Sequence, residues 1–381
     1  MTTDASEHFP ADYRRGRHAF VQACEQAGID VVSRVHPGIE GRDGKPLFLD
    51  TAVIGPREAT KALLLISATH GVEGYFGSGV QTGLMREGLA TRAPADTKIV
   101  LLHALNPYGF SWDRRVNEDN ADINRNCVDF AHPPANEPYD RLAAAISPRD
   151  ISGAAMKSAN ARLVEFLKSH GAFALQEAIS KGQYKYPDGV YYGGARESWS
   201  IKMLKDVFVE TLAHVKTLTV IDFHTGLGAF GAGEMITEDM PGSPAYRRAR
   251  AMWGGKVASS EAGESVSAPL SGTIDKAVAT WLKAVELTFA RAGSGHARHP
   301  RGVQCAAQGQ LAALFRAGAL RAQGGANHPP RTARRLLSRH GGMEAQGVGP
   351  CRRGGCLGAP GARLTAAPDA AEARWSSRWG G

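Results

Sequence analysis

Short apolar runs alternate with amphipathic stretches over the first three quarters of the chain. Residues 62–67 (ALLLIS), 98–103 (KIVLLH) and 218–223 (LTVIDF) are apolar and rich in branched residues, as buried parallel strands require. Residues 46–54 alternate like a further strand. Helical patterns lie between these runs, and they cover residues 11–27, 73–89, 200–216 and 274–284. The alternation predicts an α/β fold, with a mostly parallel sheet covered by helices on both faces.

This pattern ends near residue 290, where the composition changes. Residues 290–381 contain 20 Ala, 17 Gly, 14 Arg and 6 Pro, with no Ile, Tyr or Lys. Few large apolar side chains are left to offset the entropy cost of ordering the chain. The sequence therefore predicts one α/β domain over residues 1–289 and a tail over 290–381 that forms no stable domain.

The formal net charge of +8 comes from this tail. The tail carries 14 arginines and 3 acidic residues, whereas residues 1–289 carry 31 basic and 34 acidic residues. One interpretation is a disordered basic extension that binds nucleic acid non-specifically. The other is out-of-frame translation of a GC-rich gene, because Ala, Gly, Arg and Pro have the codons richest in G and C.

The genetic code permits the out-of-frame interpretation. Read one nucleotide later, the codons of Met343 and Glu344 must encode Trp. The same shift lets residues 293–296 encode Glu-x-Gly-Thr and residues 308–311 encode Lys-Asp-Asn-Trp. We favour this frameshift interpretation and expect no nucleic-acid partner.

The chain has the features of a cytoplasmic protein. No apolar run approaches the roughly 20 residues that span a bilayer, and the polar N-terminus does not fit a secretory signal. Five cysteines are scattered without a CxxC pair. We therefore expect a reduced, cytoplasmic protein with no membrane partner.

Two histidines and a glutamate follow the predicted buried strands. His70 and Glu73 lie in HGVEG after one strand, and His224 lies in DFHTG at the end of another. The carboxyl ends of parallel strands form the ligand-binding edge of an α/β sheet. Catalytic zinc takes three protein ligands and keeps a fourth position open. Each motif alone is also typical of a capping glutamate or a buried histidine, but together they favour a metal site, with Asp222 as a candidate partner of a histidine.

A loop rich in Asn and Arg follows the strand at residues 98–103. It contains NPYG, then RRVN with Arg115, then DINRN with Asn124 and Arg125. Adjacent Asn and Arg side chains form a donor set for a carboxylate. The alternative is a solvated loop held by Asx turns. Four tyrosines further on either line a pocket or pack in the core, and they are Tyr184, Tyr186, Tyr191 and Tyr192.

Together, HGVEG, NPYG, RRVN, DINRN and DFHTG resemble the metallocarboxypeptidase (zinc carboxypeptidase) superfamily. The nearest resemblance is to its bacterial branch known as domain of unknown function 2817, over residues 10–288. The resemblance implies a doubly wound mixed sheet with zinc at its carboxyl edge, held by His70, Glu73 and His224. It also implies that Asn124 and Arg125 hold the terminal carboxylate of a substrate, and that Arg115 steadies the scissile carbonyl.

The sequence departs from this superfamily at the general base. The resemblance implies a second glutamate late in the chain, in Glu-x-Gly-Thr, followed by Asp-Asn-Trp, and neither motif is present. Glu286 lies too early to replace it, whereas the shifted frame supplies both motifs. We therefore expect a zinc-dependent hydrolase of amide bonds that is inactive or impaired as printed.

Three alternatives of function stay open at this point. Related deacylases of the aspartoacylase and succinylglutamate desuccinylase type share the same ligand pattern, so the substrate is either a small peptide or an N-acyl amino acid. A metal-binding protein without activity is a second alternative. The third, from another class, is a nucleic-acid-binding protein that uses the basic tail.

Overall fold

The structure, a computed structural model, describes residues 5–230, 233–265 and 268–295. The predicted tail therefore lies outside the described residues from residue 296 onward. Nine helices occur in the described ranges: α1 (Tyr13–Gln26), α2 (Gly74–Arg86), α3 (Leu89–Arg92), α4 (Pro107–Ser111), α5 (Glu137–Ile146), α6 (Gly153–Ser180), α7 (Trp199–Leu212), α8 (Pro244–Trp253) and α9 (Ile274–Trp281).

Eight strands form one sheet in the described part of the chain. They are β1 (Val31–Glu40), β2 (Pro46–Ile54), β3 (Lys61–Ile66), β4 (Thr97–His103), β5 (Thr217–Phe230), β6 (Gly233–Thr237), β7 (Val257–Ser259) and β8 (Glu286–Gly295). Their order is β1-β2-β4-β3-β5-β8-β6-β7. The pairs β4–β3, β3–β5, β5–β8 and β6–β7 are parallel, and the other three are antiparallel. The sheet is thus mixed and mostly parallel, as the sequence predicts.

Helices cover both faces of this sheet. Leu218 and Val220 of β5 join one apolar core with residues of α7 and α9, whereas Ile221 and Phe223 join a second core with residues of α1, α2 and α8. Side chains alternate between the faces of a strand, so a strand buried on both faces is apolar at every position. This explains why the central strands were visible as continuous apolar runs, and it confirms the predicted fold class.

The predicted elements agree with the structure to within a few residues, except that β5 continues to Phe230, beyond the predicted end at residue 223. The strand at Pro46–Ile54 has the same bounds in both, and the pattern at residues 200–216 corresponds to α7. Helix α1 begins where Asp12 accepts a hydrogen bond from the backbone N–H of Arg15, the usual way in which an N-cap satisfies a helix end. Local caps of this kind fix the element ends that periodicity leaves open.

Strand β8 crosses the boundary that the composition predicts at residues 289 and 290. It pairs with β5 from Glu286 to Gly295 and with β6 on its other side. The expectation that regular structure ends near residue 290 is therefore wrong for residues 290–295. Ladder hydrogen bonds come from the backbone, so small side chains such as Ala292 and Gly293 are accommodated in a strand that has neighbours on both sides.

A helical segment between the Asn/Arg loop and α7 was not predicted. Helices α5 and α6 pack on each other around a small apolar core that includes Tyr139 and Leu175. Helix α6 is interrupted at Gly171, whose φ is +86°. In the described residues, no helix has both the length and the hydropathy needed to cross a membrane.

Candidate metal centre

His70 reaches the sheet edge through a tight turn after β3. Ala68 adopts a left-handed conformation, with φ +59°, and its carbonyl accepts a hydrogen bond from the N–H of Asn106 at 3.0 Å. A 3-10 turn over Gly71–Glu73 then leads into α2. Gly71 lies against the backbone of Gly109, so close that a Cβ there would be 2.0 Å from the carbonyl carbon of Gly109. The turn therefore requires glycine at this position.

His224 reaches the same edge from β5. In the sheet, β3 lies between β5 and β4, the strand that the Asn/Arg loop follows. Ile66 at the end of β3 is paired with Asp222, two residues before His224. The nitrogen Nδ1 of His70 lies 3.1 Å from Glu73 Oε1 and 3.2 Å from Nδ1 of His224. His224 Nδ1 lies 3.1 Å from Glu73 Oε2. The structure thus brings together the three predicted ligands from two distant parts of the chain.

This geometry fits a tetrahedral metal ion. Donor atoms bonded at about 2 Å to one tetrahedral ion are roughly 3.3 Å apart, close to the separations found here. Two imidazoles and one carboxylate are also a donor set that catalytic zinc takes. Among the described residues, His70, Glu73 and His224 are the group of histidine, cysteine and acidic side chains close enough to share an ion.

Each histidine is oriented by a carboxylate at its other nitrogen. His224 Nε2 lies 2.7 Å from Asp222 Oδ2, and His70 Nε2 lies 3.2 Å from Asp122 Oδ1. At His224 such a contact places a proton on Nε2 and directs Nδ1 to the centre. At His70 the nitrogen Nε2 also lies 2.7 Å from Nη2 of Arg115, which can only donate, so Asp122 orients the ring without determining its tautomer. Asp222 was a candidate for this task, and its side chain does face the side of His224. The contact of Asp122 was missed, although Asp122 opens the DINRN motif.

Burial and charge compete at these groups. Burial by itself lowers the pKa of His224, but the adjacent carboxylate of Asp222 outweighs it and raises this pKa to about 9. Burial would raise the pKa of Asp122, yet the guanidinium of Arg115 and the His70 ring hold it well below its usual value. Both shifts therefore favour the charged form of the group.

Arg115 lies beside the three candidate ligands. Its Nε donates to Asp122 Oδ2 at 2.9 Å, and its Nη1 lies 3.5 Å from Glu73 Oε1. The carbonyls of Arg114 and Arg115 accept the N–H groups of Val72 and Gly71, which ties this loop to the turn that carries the ligands. The side chain of Arg115 keeps 19% of its surface exposed. It is therefore accessible to a ligand at the site.

Asn124 and Arg125 are both buried. Asn124 Oδ1 accepts the N–H of Ile274 at the start of α9. The guanidinium of Arg125 donates to the carbonyl of Ser180, through Nε and Nη2, and to that of Asn124 through Nη1. Arg125 is 2% exposed. In this arrangement Arg125 anchors the end of α6, and the binding of a carboxylate by Asn124 and Arg125 stays a prediction.

Several solved structures are similar to this chain. Carboxypeptidase A from Helicoverpa armigera matches with 11% identity over 81% of this chain and 72% of its own, at a TM-score of 0.43. The succinylglutamate desuccinylase from Chromobacterium violaceum matches with 14% identity, covering 81% and 73%, at a TM-score of 0.38. An aspartoacylase family protein from Mesorhizobium loti matches with 14% identity, covering 75% and 67%, at a TM-score of 0.36.

The sequence matches the model of one protein family. No curated protein matches the sequence. The model described as "Protein of unknown function (DUF2817)" matches residues 9–321, which extends past the composition boundary at residue 290. This match confirms the resemblance that the sequence motifs indicate, and the chain belongs to the DUF2817 family.

Proposed function

We propose that this protein is a zinc-dependent hydrolase of amide bonds in small substrates that carry a carboxylate. The observation that carries the proposal is the convergence of Nδ1 of His70, Nδ1 of His224 and the Glu73 carboxylate, at separations of 3.1 to 3.2 Å. When bound there, zinc would polarise a substrate carbonyl and make water nucleophilic at neutral pH. The substrate is either a short peptide or an N-acyl amino acid.

The chain's own residues support this chemistry in three ways. Asp122 and Asp222 hold the imidazoles with Nδ1 directed to the centre. Arg115, partly exposed beside Glu73, is placed to stabilise negative charge that develops on a carbonyl oxygen. His70 is buried and the side chain of His224 is only 11% exposed, which strengthens these electrostatic interactions because water screens them poorly there.

We further propose that a protein with this amino-acid sequence lacks an efficient general base. In the described residues, the carboxylates in contact with the two histidines are Glu73, Asp122 and Asp222. Glu73 is a candidate metal ligand, and the two aspartates orient the histidines. The absence of a general base lowers a rate by about 10²- to 10⁴-fold. The frameshift interpretation of the tail would account for this absence and stays a prediction.

Zinc titration and a substrate panel test the proposal. The metal-free protein is titrated with zinc against a chromophoric chelator, and one ion per chain is expected. His70→Ala and His224→Ala should abolish tight binding, whereas His132→Ala, at an exposed histidine, should not. Hydrolysis of short peptides and of N-acyl amino acids is then compared. Zinc binding that survives both alanine substitutions would overturn the proposal.

A further inference from the structure

Tyr191 lies between the two arginines that the sequence assigned to the substrate site. Its ring centroid is 5.1 Å from Cζ of Arg115 and 5.4 Å from Cζ of Arg125. A guanidinium within about 6 Å of an aromatic ring is attracted to the ring face. One tyrosine therefore contacts both cations, and it does so from a segment that has no place in the metal centre itself.

The backbone of Tyr191 is strained. Its φ is +55°, a left-handed conformation that is uncommon for a bulky residue. Such strain persists only when the surroundings over-determine it, and it is found preferentially at functional sites. Three successive carbonyls hold this segment: Val190 accepts from the Tyr139 hydroxyl at 3.0 Å, Tyr191 from the N–H of Gln183 at 3.1 Å, and Tyr192 from the N–H of Asp122 at 2.7 Å.

The last of these bonds couples the strained segment to the metal centre. Asp122 receives Arg115 on one carboxylate oxygen and faces His70 with the other, while its own N–H is donated to Tyr192. Arg115 is thus held at Nε by Asp122, its Nη2 lies 2.7 Å from His70 Nε2, its Nη1 lies 3.5 Å from Glu73 Oε1, and the Tyr191 ring lies against its guanidinium. A long, flexible side chain held both along its edge and on its face has little entropy left to lose when a ligand arrives.

We propose that Tyr191 is a positioning residue that holds the guanidinium of Arg115 against the metal centre through its ring. The consequence for substrate binding rests on the proposed function, whereas the consequence for Arg115 does not. The competing explanation is packing, because Tyr191 also borders the small core around Tyr139. If Tyr191 is a positioning residue, loss of its ring frees the guanidinium of Arg115. If its role is packing alone, loss of the ring leaves Arg115 in place.

Hydrogen exchange of the Arg115 Nε–H, measured by ¹⁵N NMR, separates them without any ligand. The signal is assigned by its loss in Arg115→Lys. Tyr191→Asn removes the ring and keeps a residue that tolerates positive φ, and it should speed exchange about fivefold. Tyr191→Phe keeps the ring and should stay within about twofold of the wild type. Tyr191→Leu keeps an apolar side chain for the core and replaces the Asn variant if that variant fails to fold.

Tyr186→Asn is the matched control, because Tyr186 packs on Tyr139 in the same small core. It should leave the exchange of Arg115 unchanged. The proposal is overturned if Tyr191→Asn and Tyr191→Leu leave the exchange rate at the wild-type value. It is equally overturned if Tyr186→Asn speeds exchange as much as they do.

Binding of hippurate, an N-acyl amino acid, to the zinc-loaded protein tests the link to substrate. Tyr191→Asn should raise the Kd about fivefold in the wild-type background and not at all in Arg115→Ala. Equal weakening in both backgrounds would refute action through Arg115. If the wild type does not bind hippurate, the proposed function fails for this substrate class, while the exchange rates still decide the role of Tyr191.

Discussion

At the scale of single residues, Nε2 of His70 and Nε2 of His224 have close contacts of their own, as the two Nδ1 atoms do. Asp222 lies two positions before His224 on one strand, so both side chains share a face. Asp122 comes from a loop, where Arg115 and the N–H of Asn124 compensate its buried charge. Orientation of this kind raises the basicity of a metal-binding imidazole, and at His224 it also fixes the tautomer.

We therefore expect Asp222→Ala to weaken zinc binding by roughly 10- to 100-fold. The imidazole of His224 would lose both its orientation and the charge that raises its pKa. Competition with a chromophoric chelator measures the change. Asp129→Ala, at an exposed aspartate beside His132, is the control, and an unchanged zinc affinity in Asp222→Ala would contradict the expectation.

The buried side chain of His103 makes the stability of the protein depend on pH. His103 is fully buried, stacks on Phe20, and has its Nε2 2.8 Å from the Ser78 hydroxyl. Burial lowers its pKa to about 4, against the opposing charge of Asp50. The unfolded chain takes up this proton near pH 6.5 and the folded chain does not, so stability is complete above pH 6.5 and falls as the pH drops toward 4, by about 3 kcal/mol in all.

His103→Gln keeps a hydrogen-bonding group near Ser78 and removes this titration. The free energy of unfolding, measured by urea denaturation at pH 7 and pH 5, should change less between the two pH values in this variant than in the wild type. Equal changes in both proteins would show that His103 does not carry the pH dependence.

The sequence could predict the three candidate ligands because strand ends, which periodicity reveals, bring them to one edge. It could not predict the contact of Asp122 with His70 or that of Tyr191 with Arg115. Both contacts join loops that are far apart in the sequence, and their geometry depends on backbone conformations such as the positive φ of Tyr191. The buried environment of Arg125 escaped prediction for the same reason, since it depends on where α6 ends.

At the scale of elements, the turn at Gly71–Glu73 and helix α4 are in contact through their backbones. A side chain at Gly71 would collide with the backbone of Gly109, and one at Gly109 would collide with the carbonyl oxygens of Arg114 and Val116. The central strands were predictable because burial on both faces makes them apolar throughout. The α5–α6 pair was not predicted, because the long helix α6 is rich in alanine and shows weak periodicity, and the two helices bury only a small core.

Gly71→Ala should therefore destabilise the protein strongly. The new methyl group would meet the backbone of Gly109, which cannot rotate away, so the cost should reach or exceed the upper end of the usual overpacking range of about 1–3 kcal/mol. Urea denaturation measures it. Gly255→Ala is the matched control, because nothing lies within 4 Å of the added methyl group there. Equal stability of the two variants would contradict the expectation.

At the scale of the whole molecule, β8 places the last described residues of the chain next to the strand that carries His224. Gly293 is paired with His224 on one side and with Glu234 on the other. An added Cβ at Gly293 would have ordinary contacts, the nearest at 3.6 Å from Ile236. The shifted reading frame permits a glutamate at this position, which the register of the sheet places beside His224.

We expect Gly293→Glu to increase zinc-dependent amide hydrolysis by about 10²- to 10⁴-fold. Gly293→Gln has the same size without a proton acceptor of the required basicity and should gain nothing. Initial rates on the substrate panel, with and without a chelator, measure the effect. Similar rates for the Glu and Gln variants would place the general base elsewhere.

Strand β8 also has a consequence for the behaviour of shortened chains. In the sheet order, β8 alone separates β5 from β6, so β6 and β7 attach to the rest of the sheet through it. A chain that stopped before Glu286 would leave β5 with a long row of unpaired amide and carbonyl groups. Open edges of that kind recruit strands from other molecules, so such a fragment should accumulate as aggregate rather than as a smaller soluble protein.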